Sequence, residues 1–157
     1  MKDQSLEANK VLSAKLRRLL SFLRWSGKEF EKVVERIANK NYKLAINAVI
    51  LETNQYEREV DAHLQCLSPT SIEPADVIEE NNPGKVLIDN CLNEEATTDR
   101  EIMELFCKQE IHLEKEYRNI LNECFPNQGL RQMLIYQMNG IKCAFMQLKL
   151  LRLVRTV

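Results

Sequence analysis

Two glutamates in helical segments, Glu52 and Glu110, are the residues that point most directly to chemistry. Glu110 stands on the apolar stripe of its segment, where spacings of three and four residues otherwise select apolar side chains: Met103, Phe106, Leu113, Tyr117, Ile120 and Cys124. A buried carboxylate needs a partner, a proton or a metal ion, because its desolvation is costly. Glu52 and Glu110 are therefore candidate members of a polar core or, as the alternative, candidate ligands for iron or manganese.

Four helices with apolar stripes must position these glutamates. The periodicity predicts helices over residues 6–38, 42–67, 99–124 and 130–155. The short break at residues 39–41 predicts an antiparallel first pair, whereas the long link at residues 68–97 lets the third helix run parallel to the second. That link contains three of the four prolines, and Val86, Leu87, Ile88, Cys91 and Leu92 predict one short helix within it. Thr98 and Glu101 have the capping-box spacing that marks the start of the third helix.

Polar residues also interrupt the other three stripes. Ser26 interrupts the first stripe, Thr53 the second and Gln137 the fourth. Aligning the helices through the predicted breaks places Ser26, Thr53 and Glu110 in one layer. We expect Glu110 to be buried there, without a metal, and held by Thr53, Tyr56 or Gln137 or kept protonated by burial.

The ligand set for a paired-metal centre is incomplete in this sequence. Ferritin-like di-iron bundles combine glutamates with Glu-x-x-His pairs, but Gln55 follows Glu52 at the third position and Leu113 follows Glu110. A metal site would need Glu31, Gln55 or an external ligand in addition. A hydrogen-bonded polar core is therefore the preferred interpretation. The sequence contains no Ser-His-Asp or Cys-His order and no phosphate-binding glycine loop, so no motif indicates catalysis.

Composition predicts one helical domain over residues 1–157, with only four glycines and four prolines and with 29% charged residues. A net charge of −1 gives no overall attraction to nucleic acid. The sequence shows no signal region and no apolar run of membrane-spanning length, so we expect no membrane insertion and a cytoplasmic location. The five cysteines lack paired spacing, which favours reduced thiols in the core over disulfides or zinc.

The fourth helix carries apolar residues outside its stripe, and its charges are all basic. The additional apolar residues are Met133, Ile135, Tyr136, Met138, Phe145, Met146, Leu150 and Leu153. Such a helix must be covered on more than one side, by the crossover or by a second subunit, and we expect a homodimer that forms through it. Its basic charges predict the acidic third helix as a neighbour. Attachment of residues 149–155 to a membrane surface is a further alternative.

Two stretches carry a resemblance to a known family. They are residues 16–35, with Ser26, Gly27 and Phe30, and residues 48–64, with Glu52, Tyr56 and Glu59. Together with residues 110–117 and 147–152, they resemble a bacterial ferritin-like four-helix-bundle family of unknown function. That family usually has Asp at the position of Ser26 and often His at that of Phe145. The resemblance implies that this chain has the fold of the family. It lacks two potential metal ligands at Ser26 and Phe145, and the family brings no established activity.

The sequence thus predicts an all-α protein, a ferritin-like four-helix bundle with a long crossover that contains a short helix. We expect a non-enzymatic protein without a cofactor, which acts by self-association or partner binding. The alternative is a metal-binding or oxidoreductase domain with a reduced carboxylate site at Glu52 and Glu110, holding iron or manganese.

Overall fold

Five helices make up the described parts of the chain. The structure is a computed structural model that describes residues 2–67 and 98–153. The helices are α1 (Lys2–Glu35), α2 (Lys40–Leu67), α3 (Asp99–Cys107), α4 (Gln109–Leu121) and α5 (Gln128–Leu153). The predicted all-α class is confirmed for these residues. The short helix predicted within residues 68–97 lies outside them.

The helices pack as a four-rod bundle in which α3 and α4 together form one rod. α1 contacts α2 and α4, and α5 contacts α2 and α4 in turn. Backbone N–H groups of Ala38 and Asn39, at the α1–α2 link, donate to Asp99 at the start of α3. Near the opposite end, Lys15 of α1 forms an ion pair with Glu123, which follows α4. The α3–α4 rod therefore runs parallel to α2, as predicted.

The predicted stripes form the core. Every member of the first predicted stripe is buried, namely Leu12, Leu16, Leu19, Leu23, Ser26, Phe30, Val33 and, just beyond the end of α1, Ile37. An aromatic layer joins three rods, because Phe106 of α3 lies between Phe30 of α1 and Phe145 of α5, with ring centroids 4.7 and 5.5 Å away. These contacts set the levels at which the polar residues meet.

Side-chain caps determine where the helices begin and end. The Thr98 hydroxyl accepts the Glu101 N–H at 3.2 Å, so the predicted start of the third helix is correct. Asn39 accepts the N–H groups of Asn41 and Tyr42 and starts α2. α1 ends at Glu35, three residues before the predicted end. The Asp99 carboxylate accepts the N–H groups of Ala38 and Asn39, which would otherwise continue the hydrogen bonding of the helix.

The prediction of one continuous third helix is wrong. The helix is interrupted at Lys108, whose N–H donates to Leu105 O at 3.2 Å, while Ile111 N–H donates to Lys108 O at 3.3 Å. These bonds span three residues instead of four, which is the tighter 3₁₀ geometry. The interruption immediately precedes two buried polar residues, Gln109 and Glu110. α4 also ends at Leu121, so Cys124 is exposed beyond the helix and does not belong to the stripe.

Candidate functional site

Glu110 is buried, as predicted, but its partner is a different residue from those expected. The residue is 9% exposed. Its carboxylate forms an ion pair with the Lys149 ammonium of α5 and accepts a hydrogen bond from it. Thr53 instead donates its hydroxyl to the Val49 and Ile50 carbonyls of its own helix. The expectation failed because Lys149 lies outside the apolar stripe, and only its long side chain brings the ammonium to the carboxylate.

The predicted layer is confirmed by two contacts. Phe30 meets Phe106, which brings Ser26 and Glu110, each one turn further along the bundle, to the same level. An ideal Cβ on Gly27 would lie 2.8 Å from Asn54 Oδ1, so Ser26 and Gly27 are level with Thr53 and Asn54. The Ser26 hydroxyl is fully buried and has no hydrogen-bond partner among the described residues.

A second acid–base pair joins α4 to α5. Glu114 forms ion pairs with Lys142 of α5 at 3.0 Å and with Arg118 of its own helix at 2.6 Å. Hydrogen bonds from Lys142 and Arg118 lower the pKa of the Glu114 carboxyl below its usual range. With the Glu110–Lys149 pair, this contact confirms that the acidic third rod and the basic α5 are neighbours.

Glu52 lies on a different edge of α5 from Glu110. Its carboxylate accepts a hydrogen bond from Tyr56, one turn later in α2, and faces Gly140 of α5. Burial, followed by the bond to Glu52 and the charge of that carboxylate, raises the pKa of Tyr56 far above its ordinary value. The phenol is therefore a hydrogen-bond donor at neutral pH and not a base.

The two candidate ligands are held in separate places by separate partners. Glu52 belongs to the α2–α5 edge and Glu110 to the α4–α5 edge. Within residues 2–67 and 98–153, no three His, Cys, Asp or Glu side chains are grouped as a metal site requires. What the arrangement offers chemically is one paired carboxylate and one carboxylate hydrogen-bonded to a phenol.

A buried polar chain crosses the bundle below this level, and sequence reasoning did not find it. The Tyr117 hydroxyl donates to Gln137 Oε1 at 2.9 Å, and Gln137 Nε2 donates to Glu59 at 3.1 Å. Gln137 is one of the three residues, with Thr53 and Tyr56, that the sequence suggests as partners of Glu110. One feature of the sequence indicates this bond: Tyr117 and Gln137 both lie on the apolar stripes of two helices that are adjacent and antiparallel. Burial raises the pKa of Tyr117 well above 10.0, so the phenol keeps its proton.

The cysteines depart from their expected role. Of the four in the described residues, only Cys107 is buried, while Cys66, Cys124 and Cys143 are exposed and all four are free thiols. Small size alone does not decide burial when the position faces outward. Cys143 of α5 lines a cleft between α2 and α5.

The extra apolar residues of α5 divide between core and surface. Phe145 and Met138 are buried, whereas Tyr136, Met146, Leu150 and Leu153 are exposed. On the neighbouring helix α2, Leu44 and Leu51 are 68% and 70% exposed. We name Leu44, Leu51, Met146, Leu150 and Leu153 the α2–α5 patch. A groove of about 430 Å³ between Leu44 and Leu150 runs through it.

None of the described helices is long and apolar enough to cross a membrane. When the chain is compared with known proteins, no family model, no curated protein and no solved structure matches it.

Proposed function

We propose that this chain is a ferritin-like helical bundle of non-enzymatic function, which associates with a second copy of itself through the α2–α5 patch. The observation that carries the proposal is the concentration of exposed aliphatic side chains on two neighbouring helices. Exposed apolar surface of this kind on a soluble bundle marks interaction sites. The bundle connectivity, with a long link joining two parallel rods, supports the ferritin-like part of the proposal.

The patch is open enough to form a dimer contact. Each of its five residues has between 53% and 72% of its surface exposed, and a standard interface buries about 800 Å² per partner. A twofold axis uses the same patch on both copies, so no second complementary surface is required.

The charge distribution also favours this face. The exposed residues of α5 from Met146 to Leu150 are uncharged, and the cations Lys142 and Lys149 form ion pairs with the α4 carboxylates. Depletion of charge at the centre of a contact is the compositional sign of an interface, because each unpaired charge would have to be desolvated.

Sedimentation equilibrium of the purified chain tests the proposal. We expect a monomer–dimer equilibrium, and we expect Leu51→Glu with Leu150→Glu to weaken it at least about tenfold, because four carboxylates would enter one contact. Ile111→Glu is the matched control, since Ile111 is an equally exposed aliphatic residue on α4, away from the patch. A wild-type chain that stays monomeric at high concentration, or equal effects of the patch and control variants, would overturn the proposal.

A further inference from the structure

A second cleft lies between α2 and α5, next to the α2–α5 patch, and has a different character. Its volume is about 320 Å³, and Glu52, Tyr56, Tyr136, Asn139 and Gly140 contribute to its walls. This volume is within the range of small-molecule sites, about 300–1,000 Å³. The exposed Tyr136 ring and the Glu52 carboxylate therefore border a space large enough for a small organic group, with the buried Tyr56 behind them.

The two tyrosines form a corner. The ring centroids of Tyr56 and Tyr136 are 6.4 Å apart, and the ring planes meet at 77°. Tyr56 is buried and fixed by its bond to Glu52, whereas Tyr136 keeps most of its surface open to solvent. Aromatic faces carry partial negative charge, so the exposed Tyr136 ring, held against Tyr56, attracts a cation.

Glu52 adds a negative charge that no neighbouring cation neutralises. Lys, Arg or His side chains form ion pairs with Glu57, Glu110, Glu114, Glu116 and Glu123, but none in the described residues does so with Glu52. Glu59, on the same side of α2, accepts neutral amide donors from Gln55 and Gln137 and no cationic donor from the described residues. The negative charges of Glu52 and Glu59 also add to the effect of burial in raising the pKa of Tyr56, because they disfavour a further negative charge on the phenol.

Gly140 makes this arrangement possible. A Cβ at this position would overlap the Tyr56 hydroxyl and would lie 3.2 Å from Glu52 Oε2. The absence of a side chain lets the phenol and the carboxylate reach the backbone of α5. The cleft is thus a preformed feature of the α2–α5 contact and needs only one copy of the chain.

From this geometry we infer that the cleft binds an organic ammonium cation, with the cationic head against the exposed Tyr136 ring and beside the Glu52 carboxylate. A trimethylammonium group suits the site because it is weakly hydrated and gains from aromatic faces. Calcium and magnesium ions need several oxygen ligands, whereas this cleft offers a single carboxylate that is already bonded to a phenol.

Titration of the isotopically labelled full chain with choline, followed by NMR, tests the inference. We expect saturable shifts confined to α2 and α5 around the cleft, with no comparable shifts from 3,3-dimethylbutan-1-ol, the neutral molecule of the same shape. Glu52→Gln should weaken choline binding about tenfold and Tyr136→Leu about threefold. Glu31→Gln, a change at an exposed carboxylate of α1, should leave it unchanged.

Each alternative outcome overturns the inference. Equal binding of the neutral alcohol would identify a merely apolar cleft. Choline binding that survives Glu52→Gln unchanged, or shifts spread evenly over the surface, would place the cation elsewhere. Because Tyr136 is exposed and Gln at position 52 still accepts the Tyr56 hydrogen bond, both variants should keep the wild-type circular dichroism spectrum, which is measured first.

Discussion

The Glu110 carboxylate, on the buried seam of α4, is paired with the ammonium of Lys149, which reaches it from the edge of α5. Glu110 has only 12% of its side chain exposed, whereas Lys149 has 40%. The partners thus differ in how much they depend on each other. Water still solvates a free Lys149, but a free Glu110 carboxylate would lose most of its solvation.

This asymmetry gives the first prediction. Lys149→Met should lower the free energy of unfolding by about 1–2 kcal/mol, because it leaves the carboxylate without its partner while keeping the aliphatic stem. Glu110→Gln should cost less, since a neutral amide is cheaper to bury. The double variant should regain most of the loss. Urea unfolding of the four proteins, followed by circular dichroism, measures the coupling, and strictly additive effects would contradict it.

The same pair shows which part of the site sequence reasoning can reach. The buried position of Glu110 and its level with Ser26 followed from three-and-four spacing and helix-break symmetry, because both depend on backbone geometry alone. The identity of the partner did not follow. Lys149 lies off the apolar stripe, and its reach depends on side-chain torsions and on which edge of α5 faces α4.

The local sequence does not predict the interruption at Lys108 either. Lysine is a good helix former, and neither Gly nor Pro occurs nearby, so propensity predicts an uninterrupted helix there. The early end of α1 was missed for a related reason. It depends on Asp99, 61 residues away from Ala38 in sequence. Contacts of long sequence separation are invisible to a periodic pattern, which records only whether a residue faces the core.

The buried chain of Tyr117, Gln137 and Glu59 gives the second prediction. Tyr117→Phe should lower the free energy of unfolding by about 1–2 kcal/mol, because Gln137 Oε1 would remain buried without a donor. Gln137→Leu should have a similar cost, since it leaves the Tyr117 hydroxyl unpaired. The combined Tyr117→Phe and Gln137→Leu variant should lose less than the sum, because both unsatisfied groups are then absent. Chemical unfolding checks this, and a loss equal to the sum would show that the bond contributes nothing.

Gly27 and Gly140 give the third prediction, as two mid-helix glycines with different neighbours. An added Cβ at Gly27 meets the terminal Oδ1 of Asn54, a partly exposed side chain that can turn away. Gly27→Ala should therefore be neutral or stabilising by up to about 1 kcal/mol, the helix-propensity gain. An added Cβ at Gly140 overlaps the hydroxyl of Tyr56, which is buried. Gly140→Ala should be destabilising by about 1–3 kcal/mol despite the same propensity gain.

The Tyr56 hydroxyl is the atom that distinguishes the two glycines, so its removal should relieve the strain at Gly140. Tyr56→Phe added to Gly140→Ala should recover part of the loss, and only part, because the Tyr56 Cζ atom would still lie 3.0 Å from the new Cβ. Added to Gly27→Ala, the same change should bring no recovery. Thermal unfolding of the single and double variants measures both effects. Equal behaviour of the two glycine variants would mean that Tyr56 does not occupy the space against α5 on which the ammonium cleft depends.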